Sequence, residues 1–310
     1  MAAKIGELKW KTAIWYDTKL DTYLLPLKTE IRKKGNLAVE DRVTFHLSLW
    51  SFVPWFNAKR SAFFEWRCFS YAIPQRDWGR ETYLSGMSGW RASKWKRVGG
   101  FLLQRSTYLD KHYGESSLEV YRTKVVAQFQ QLQAAAAAGH SINLWFEDDL
   151  FCQINLWFTL SLLYEMDGKS EIYLVRPPGH TPYGFGGLNT EELTVCYKER
   201  IPISELSLWK ALWEAYRLAE LEQLTEVATS LEQRYSFVSR AVAAHLARFP
   251  TSTQEGRPKE RLKAIVKELG TTQFGPVFQL FCQTEAIYGF GDVYVKRLFD
   301  KVIASIKKEE

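Results

Sequence analysis

The sequence predicts an α/β fold, an incomplete Rossmann-like strand–helix–strand portion, followed by an all-α C-terminal domain. Residues 143–146 form a short apolar run that ends in three acids, which is typical of a buried strand. Residues 150–163 are apolar on every side of a helix, which indicates burial on all faces. Ile172–Val175 has the pattern of a second strand, and such a crossover lays its two strands parallel.

Charge and tryptophan are distributed unevenly, which predicts a boundary near residue 104. Lys and Arg outnumber Asp and Glu by 18 to 9 in residues 1–104, but number 23 against 26 in the rest of the chain. Eight of the twelve tryptophans also lie before the boundary. We therefore expect an anomalous, irregular segment at residues 1–104, the α/β portion at 105–198 and a helical domain at 199–310.

The first segment has no helical periodicity, and its apolar runs would form strands if they form any regular structure. Residues 60–69 and 89–100 interleave basic and aromatic side chains. That composition suits a groove that stacks and neutralises single-stranded nucleic acid. A poorly ordered basic segment is the interpretation we favour, because the local features of this segment conflict with one another.

Cysteine usage and the apolar segments predict a cytoplasmic protein. The four cysteines form no CxxC pair, so neither a disulfide framework nor a zinc-ligand spacing is indicated. The first 20 residues lack the apolar core of a signal peptide. Gln153, Asn155 and Thr159 interrupt the longest apolar run, which makes it too polar to span a membrane.

Capping and stop residues divide the remaining sequence into helices. They are Gly139 as a stop, Asn189 with Glu192 as a capping box, Ser204 as an N-cap, Pro258 and Gly270 at the two ends of one helix, and Asp292 at the start of the last. We expect the last three helices to pack as a bundle, and a helix-turn-helix is the alternative.

Glu147, Asp148 and Asp149 are the candidate catalytic residues, because they follow a parallel strand at the end where open α/β sheets bind ligands. A carboxyl group of raised pKa there can act as a general acid or base. Asp148 and Asp149 are also weak candidates for ligands of a divalent cation, although no metal-ligand spacing is present. The interpretation we favour is that one of these two residues caps the helix and the others are solvated.

Four further residues are weak candidates for ligand binding. Gln153 lies one turn into the helix from Asp149 and can hydrogen-bond a ligand, although a buried helix also tolerates one satisfied glutamine. Gly184, Gly186 and Gly187 can bring backbone amides near an anion. Their spacing is not GxGxxG, so a plain turn before the next helix is favoured.

Four separated stretches carry a family resemblance: NLWFEDDLFCQINLWF, GFGGLNTEEL, ISELSLWKALWEAYR and GFGDVYVKRLFDKV. In this order, over residues 105–306, the chain resembles bacterial proteins of domain-of-unknown-function family 1835 with its companion C-terminal domain 3658. The resemblance implies an α/β domain followed by a helical domain, in a cytosolic bacterial protein with no established activity.

The resemblance also implies an opening strand that ends in Asn-Gly-Asp and then a Cys-Arg-Glu-Cys-Leu motif, and neither is present. Residues 65–68 can be coded GAA TGG AGA TGC, which gives Asn-Gly-Asp when read from the second nucleotide. Residues 84–89 can be coded CTG TCG GGA ATG TCT GG, which gives Cys-Arg-Glu-Cys-Leu in the same frame. We interpret residues 60–104 as an out-of-frame copy of the family's first βαβ portion, preceded by upstream sequence translated by accident. The first strands would then be missing, which predicts an exposed sheet edge beside the strand at Asn143.

No motif in the sequence names a reaction or a cofactor, so whether the protein is an enzyme stays open. Our hypothesis is that it binds a small molecule, of nucleotide type, near residues 147–149. One alternative is a nucleic-acid-binding or regulatory protein that uses the C-terminal helices, although their mixed charge supplies no basic stripe. The other is a protein–protein interaction module. No membrane partner is expected.

Overall fold

The chain forms two compact units, Met1–Lys59 and Arg60–Glu310. The computed structural model describes residues 2–11, 15–17, 22–25, 27–38, 41, 43–44, 46–48, 61–65, 127–166, 170–179 and 183–309. The predicted boundary after residue 104 lies outside these ranges, as do the basic stretch at 89–100 and the first part of the helix predicted to end at Gly139.

The described residues of the N-terminal unit form short strands and one short helix. They are β1 (Ala2–Ile5), β2 (Leu8–Lys11), β3 (Trp15–Asp17), β4 (Thr22–Leu24), α1 (Thr29–Lys34) and β5 (His46–Ser48). β1 pairs antiparallel with β2 on one side and β5 on the other, and β3 pairs antiparallel with β4. Ala3, Trp10 and Ile31 are buried together and form the small core of this unit.

The second unit begins with an α/β portion. Its elements are β6 (Ser61–Glu65), α2 (Ala127–Ala137), β7 (Ser141–Trp145), α3 (Leu150–Tyr164), β8 (Ile172–Val175), a 3-10 turn (Gly184–Gly187), α4 (Thr190–Lys198) and β9 (Ile201–Pro202). The strand order is β6-β7-β8-β9. β6, β7 and β8 run parallel, and β9 is antiparallel to β8. The predicted strand–helix–strand unit is therefore confirmed.

The three parallel strands end level with one another. Glu65 pairs with Trp145, and Trp145 pairs with Val175, so the residues that follow each strand leave the sheet at one edge. The prediction of an exposed sheet edge beside Asn143 is wrong, because β6 pairs with β7 along all five of its residues. An interior strand has its backbone amide and carbonyl groups satisfied on both sides.

α3 is the buried centre of the second unit, as its composition predicts. Every residue from Cys152 to Leu163 is buried, because the helix lies within the main hydrophobic core rather than at its surface. Asn155 and Thr159 are accommodated by donating hydrogen bonds to the carbonyl oxygens of Phe151 and Asn155, four residues earlier. No helix in the described part of the chain has both the length and the apolar content needed to cross a bilayer.

Helices form the described residues that follow β9, which confirms the predicted fold class of an α/β portion followed by a helical region. They are α5 (Leu206–Leu218), α6 (Leu221–Glu232), α7 (Phe237–Leu246), α8 (Arg257–Leu269), α9 (Phe274–Thr284), a 3-10 turn (Ala286–Tyr288) and α10 (Asp292–Glu309). One hydrophobic core continues from α2 through α3 to α10. The α/β portion and the helical region are therefore stabilised together.

The capping predictions are confirmed with one exception. Asn189 and Glu192 form the predicted capping box at the start of α4. Ser204 is not the N-cap of α5, because Glu205 intervenes in a left-handed conformation with φ of 58°. The Ser204 hydroxyl instead accepts a hydrogen bond of 2.8 Å from Nη1 of Arg234.

His245 on α7 predicts a pH dependence of stability. Its imidazole packs between the rings of Tyr216 and Phe249 at centroid distances of 4.8 and 5.1 Å. Burial, with a smaller effect of the nearby Arg248 charge, lowers the pKa of His245 to about 3. The unfolded chain then takes up this proton at higher pH than the folded chain does. As the pH falls from the unfolded pKa of His245 toward its folded pKa, we expect the free energy of unfolding to decrease by up to about 1.4 kcal/mol per pH unit.

Urea unfolding from pH 7 down to pH 4 measures how the free energy of unfolding depends on pH in the wild type and in His245→Phe. The variant keeps an aromatic ring at this position and removes the group that titrates. Equal slopes for the two proteins would contradict the assignment, because other groups titrate alike in both.

Candidate functional site

Asp148 is the buried centre of an ion-pair cluster. Arg176, the first residue after β8, donates from Nε to Oδ1 of Asp148 at 2.7 Å and from Nη2 to Oδ2. Arg240 on α7 donates to Oδ2 at 3.3 Å. The guanidinium of Arg176 also lies 4.1 Å from the ring centroid of Phe237. The sequence favoured a solvated side chain for the aspartate that does not cap the helix, and this is wrong for Asp148. Its carboxylate is buried, and two arginines compensate the burial of its charge.

Asp149 is the N-cap of α3, which confirms the favoured interpretation for one of the two aspartates. Its Oδ1 accepts a hydrogen bond of 3.0 Å from the amide of Cys152, and its backbone is extended, as a cap requires. Gly289 packs directly against this carboxylate: a Cβ at Gly289 would overlap Oδ1, and the φ of this glycine is 62°. The GFGD stretch, which lies 140 residues further along the chain, therefore fixes the position of the cap.

Glu147 is held in the same manner by the other glycine-containing stretch. Its Oε1 accepts a hydrogen bond of 2.8 Å from the amide of Phe185. Gly184, with φ of 46°, packs so closely that a Cβ would overlap the Glu147 carboxylate. The 3-10 turn does bring a backbone amide to an anion, as its glycines suggest, and the anion is the protein's own side chain.

Of the three glycines proposed from the sequence, only Gly184 contacts the acids. A Cβ at Gly187 would lie 3.3 Å from Cβ of Tyr183, and one at Gly186 would meet no heavy atom within 4 Å among the described residues.

Gln153 is fully buried and makes one of its possible hydrogen bonds. Its Nε2 donates to the carbonyl oxygen of Glu147 at 2.8 Å. Its Oε1 has no hydrogen-bond partner among the described residues. The amide orientation follows from the first contact, because the opposite assignment would place two acceptor oxygens 2.8 Å apart. A buried acceptor of this kind costs free energy until a donor or a cation reaches it.

Cys152 is the residue at this site that sequence reasoning missed. The ligand atoms of Glu147, Asp149 and Cys152 all lie within 4.8 Å of one another. Burial of the thiol, and next the negative charges of Asp149 and Glu147, raise the pKa of Cys152 well above its ordinary value. The thiol is therefore protonated at neutral pH, and the backbone amide of Cys152 donates the hydrogen bond that the N-cap Asp149 accepts.

The signal for Cys152 was its spacing from Asp149, since a residue three positions beyond an N-cap faces that cap. Arg176, Arg240 and Gly289 were missed because they reach the acids only through tertiary structure. A sequence gives no distance between Asp148 and a residue 92 positions away, such as Arg240.

Comparison with known proteins gives one family match. A family model described as a domain of unknown function, DUF1905, matches residues 1–47. No significant match was found among curated proteins or among solved structures. The matched residues lie within the N-terminal unit, so this part of the chain resembles an uncharacterised domain family. A match of this kind counts against accidental translation of residues 1–47, and it is to a different family from 1835 and 3658.

Alanine at Gly289 should destabilise the protein more than alanine at Gly270. Both glycines have positive φ, 62° and 58°, so both substitutions carry the left-handed penalty of about 1–2 kcal/mol. Only Gly289→Ala also forces a methyl group into the Asp149 carboxylate, which adds about 1–3 kcal/mol for overpacking. The difference between the two free energies of unfolding in urea isolates the contact, and equal losses would show that the GFGD turn does not press on the cap.

Proposed function

We propose that the protein binds a small ligand of nucleotide type at the carboxyl edge of β6, β7 and β8, beside Glu147 and Asp149. The observation that carries the proposal is the convergence of two distant glycine turns on these carboxylates. Gly184 closes on Glu147 and Gly289 closes on Asp149. Packing of the hydrophobic core does not require acids at these two positions, nor glycines of positive φ against them. Strained or special backbone of this kind is typical of functional sites.

The position of the acids supports binding. Ligands of open α/β sheets bind beyond the carboxyl ends of parallel strands, and the level ends of β6, β7 and β8 form such an edge. The unpartnered Oε1 of Gln153 supplies an acceptor that a ligand donor or cation would satisfy. Rigid backbone contacts hold Glu147 and Asp149 in place before any ligand arrives.

Two exposed side chains beside the acids favour a ligand that carries both an aromatic ring and an anionic group. Tyr183, immediately before Gly184, is 72% exposed and offers a ring face on which a base can stack. Arg240 keeps 56% of its side chain exposed while it contacts Asp148, so its outer face can meet a phosphate. A nucleotide-type molecule combines these two features.

The assignment of residues 105–306 to families 1835 and 3658, with the bacterial and cytoplasmic setting they imply, belongs to the same proposal. Three of the four stretches that carry the resemblance meet in space, because Gly184 packs against Glu147 and Gly289 packs against Asp149. β6 counts against the out-of-frame interpretation at its start, because residues 61–65, read in the frame of this chain, pair with β7 as a parallel strand.

The frame of the gene can be tested directly. We expect the codons of residues 65–68 to give Asn-Gly-Asp, and those of residues 84–89 to give Cys-Arg-Glu-Cys-Leu, when both are read from the second nucleotide. DNA sequencing of the gene decides the matter, and codons that give any other residues at either place would rule out the out-of-frame interpretation.

The nucleic-acid alternative has less support from the described helices. Arg257, Arg261, Lys263 and Lys296 each pair with an acid, so these four basic side chains on α8 and α10 are offset locally. Binding along a phosphate backbone requires basic side chains free to neutralise several phosphates at once.

Thermal melting with a panel of adenine and guanine nucleotides, with and without Mg²⁺, tests the proposal. We expect at least one nucleotide to raise the melting temperature of the wild type, because a ligand that binds only the folded state stabilises it. Asp149→Asn should abolish that shift while leaving the melting temperature without ligand nearly unchanged, since Asn is as good an N-cap as Asp.

Asp300→Asn is the matched control, because it removes one carboxylate from an exposed pair with Lys296 on α10. This control should keep the full nucleotide shift. The absence of any shift in the wild type, or an equal loss in both variants, would overturn the proposed function.

A further inference from the structure

We infer that Glu147, Asp149 and Cys152 form a binding site for a borderline-soft divalent cation of the zinc type, with Gln153 at its edge. The inference deepens the proposed function and rests on it, because the cation would occupy the same edge of the sheet and belong to the same ligand site. Two carboxylate oxygens and one sulfur make up the ligand set. Mixed oxygen and sulfur ligation suits Zn²⁺ and disfavours Mg²⁺ and Ca²⁺, which take oxygen ligands.

The spacing of the three groups fits a small cation. Their ligand atoms lie within 4.8 Å of one another, and ligands in a tetrahedral zinc site are roughly 3.5 Å apart. A pair of ligand atoms at the 4.8 Å limit would have to approach by about 1 Å, which a small rotation of the Cys152 side chain can provide without moving the held carboxylates.

Gln153 is the independent observation that points to a ligand here. Its side chain is fully buried, and its Oε1 has no partner in the part of the chain that the structure describes. Long side chains of a helix extend toward its N-terminus, and Gln153 stands one turn after Asp149 on the same face. Its hydrogen bond to the Glu147 carbonyl oxygen fixes the carboxamide beside the acids.

Three protein ligands leave a fourth position of a tetrahedral zinc site for water, and Gln153 is placed to accept a hydrogen bond from that water. The accepted hydrogen bond would satisfy the buried Oε1. The N-terminus of α3 stabilises anionic ligand atoms rather than the cation, and three such atoms together outweigh its partial positive charge of about half a unit.

Asp148 is excluded from this site although it lies between two of the ligands in sequence. Both of its oxygens accept hydrogen bonds from Arg176, and Arg240 adds a third contact. These two guanidinium groups would repel a dication at Asp148. The adjacent acids therefore divide into one that stabilises the fold and two that face the proposed cation.

The experiment uses the full chain, stripped of metal with a chelator and titrated with the metal alone, without any nucleotide. We expect one equivalent of Zn²⁺ to bind in calorimetry, and Co²⁺ in its place to give a thiolate-to-cobalt charge-transfer band in the near ultraviolet. Cys152→Ser should remove the band and weaken Zn²⁺ binding by more than about 10-fold, because loss of even an outer contact costs that much. Asp149→Asn should weaken Zn²⁺ binding similarly while keeping the helix cap.

Cys282→Ser is the matched control, since Cys282 lies on α9 and is outside the cluster. It should leave the band and the affinity unchanged. No Zn²⁺ binding, full affinity in Cys152→Ser, or bound Co²⁺ without a thiolate band in the wild type would each overturn the inference. The wild-type spectrum decides the matter even if a variant fails to fold.

The two proposals fail separately. If the protein binds Zn²⁺ through Cys152 but no nucleotide raises its melting temperature, the nucleotide proposal is overturned and the cation site stands. If a nucleotide binds but Zn²⁺ does not, the cation site is overturned and the nucleotide proposal stands.

Discussion

The need to place three consecutive acids at the junction of β7 and α3 governs the arrangement of the second unit. Asp148 and Asp149 are buried and Glu147 is partly buried, so each carboxylate must gain donors from elsewhere. These hydrogen-bond donors come from the end of β8, from α7, from the first turn of α3 and from the 3-10 turn before α4. The helical region is therefore joined to the sheet by electrostatic contacts as well as by the shared hydrophobic core.

Local pattern was sufficient to predict β7, α3 and β8, because each has a composition that only one environment suits. A helix with apolar residues on every side has no polar face to expose to solvent, and α3 is buried from Cys152 to Leu163. The capping box at Asn189 and the stop at Gly270 followed from backbone chemistry confined to a few residues. The N-cap of α5 was misassigned by one residue, since serine and glutamate at adjacent positions compete for the same end of a helix.

The sequence predicted which residues lie at the site, but it did not predict the partners that hold them. Sequence placed Glu147, Asp149 and Gln153 at one end of a helix, since that follows from spacing alone. It did not separate Asp148 from its neighbours, because the difference lies in Arg176 and Arg240, which only the folded chain brings near. Gly184 was visible as part of a turn and Gly289 only as part of a stretch that carries the resemblance, and the role of each depends on which side chain packs against its Cα.

The contrast between the acids explains why a binding site and a stable junction can share one turn of chain. Guanidinium groups cancel the charge of Asp148, whereas Glu147 and Asp149 accept hydrogen bonds from the neutral backbone amides of Phe185 and Cys152, and such a bond orients a carboxylate without cancelling its charge. Burial and these same two acids keep the Cys152 thiol protonated in the absence of a cation, as the raised pKa indicates. A dication bound among them would oppose that preference, because its positive charge favours the thiolate form. The geometry that makes the site costly when empty is thus the geometry that would make it bind.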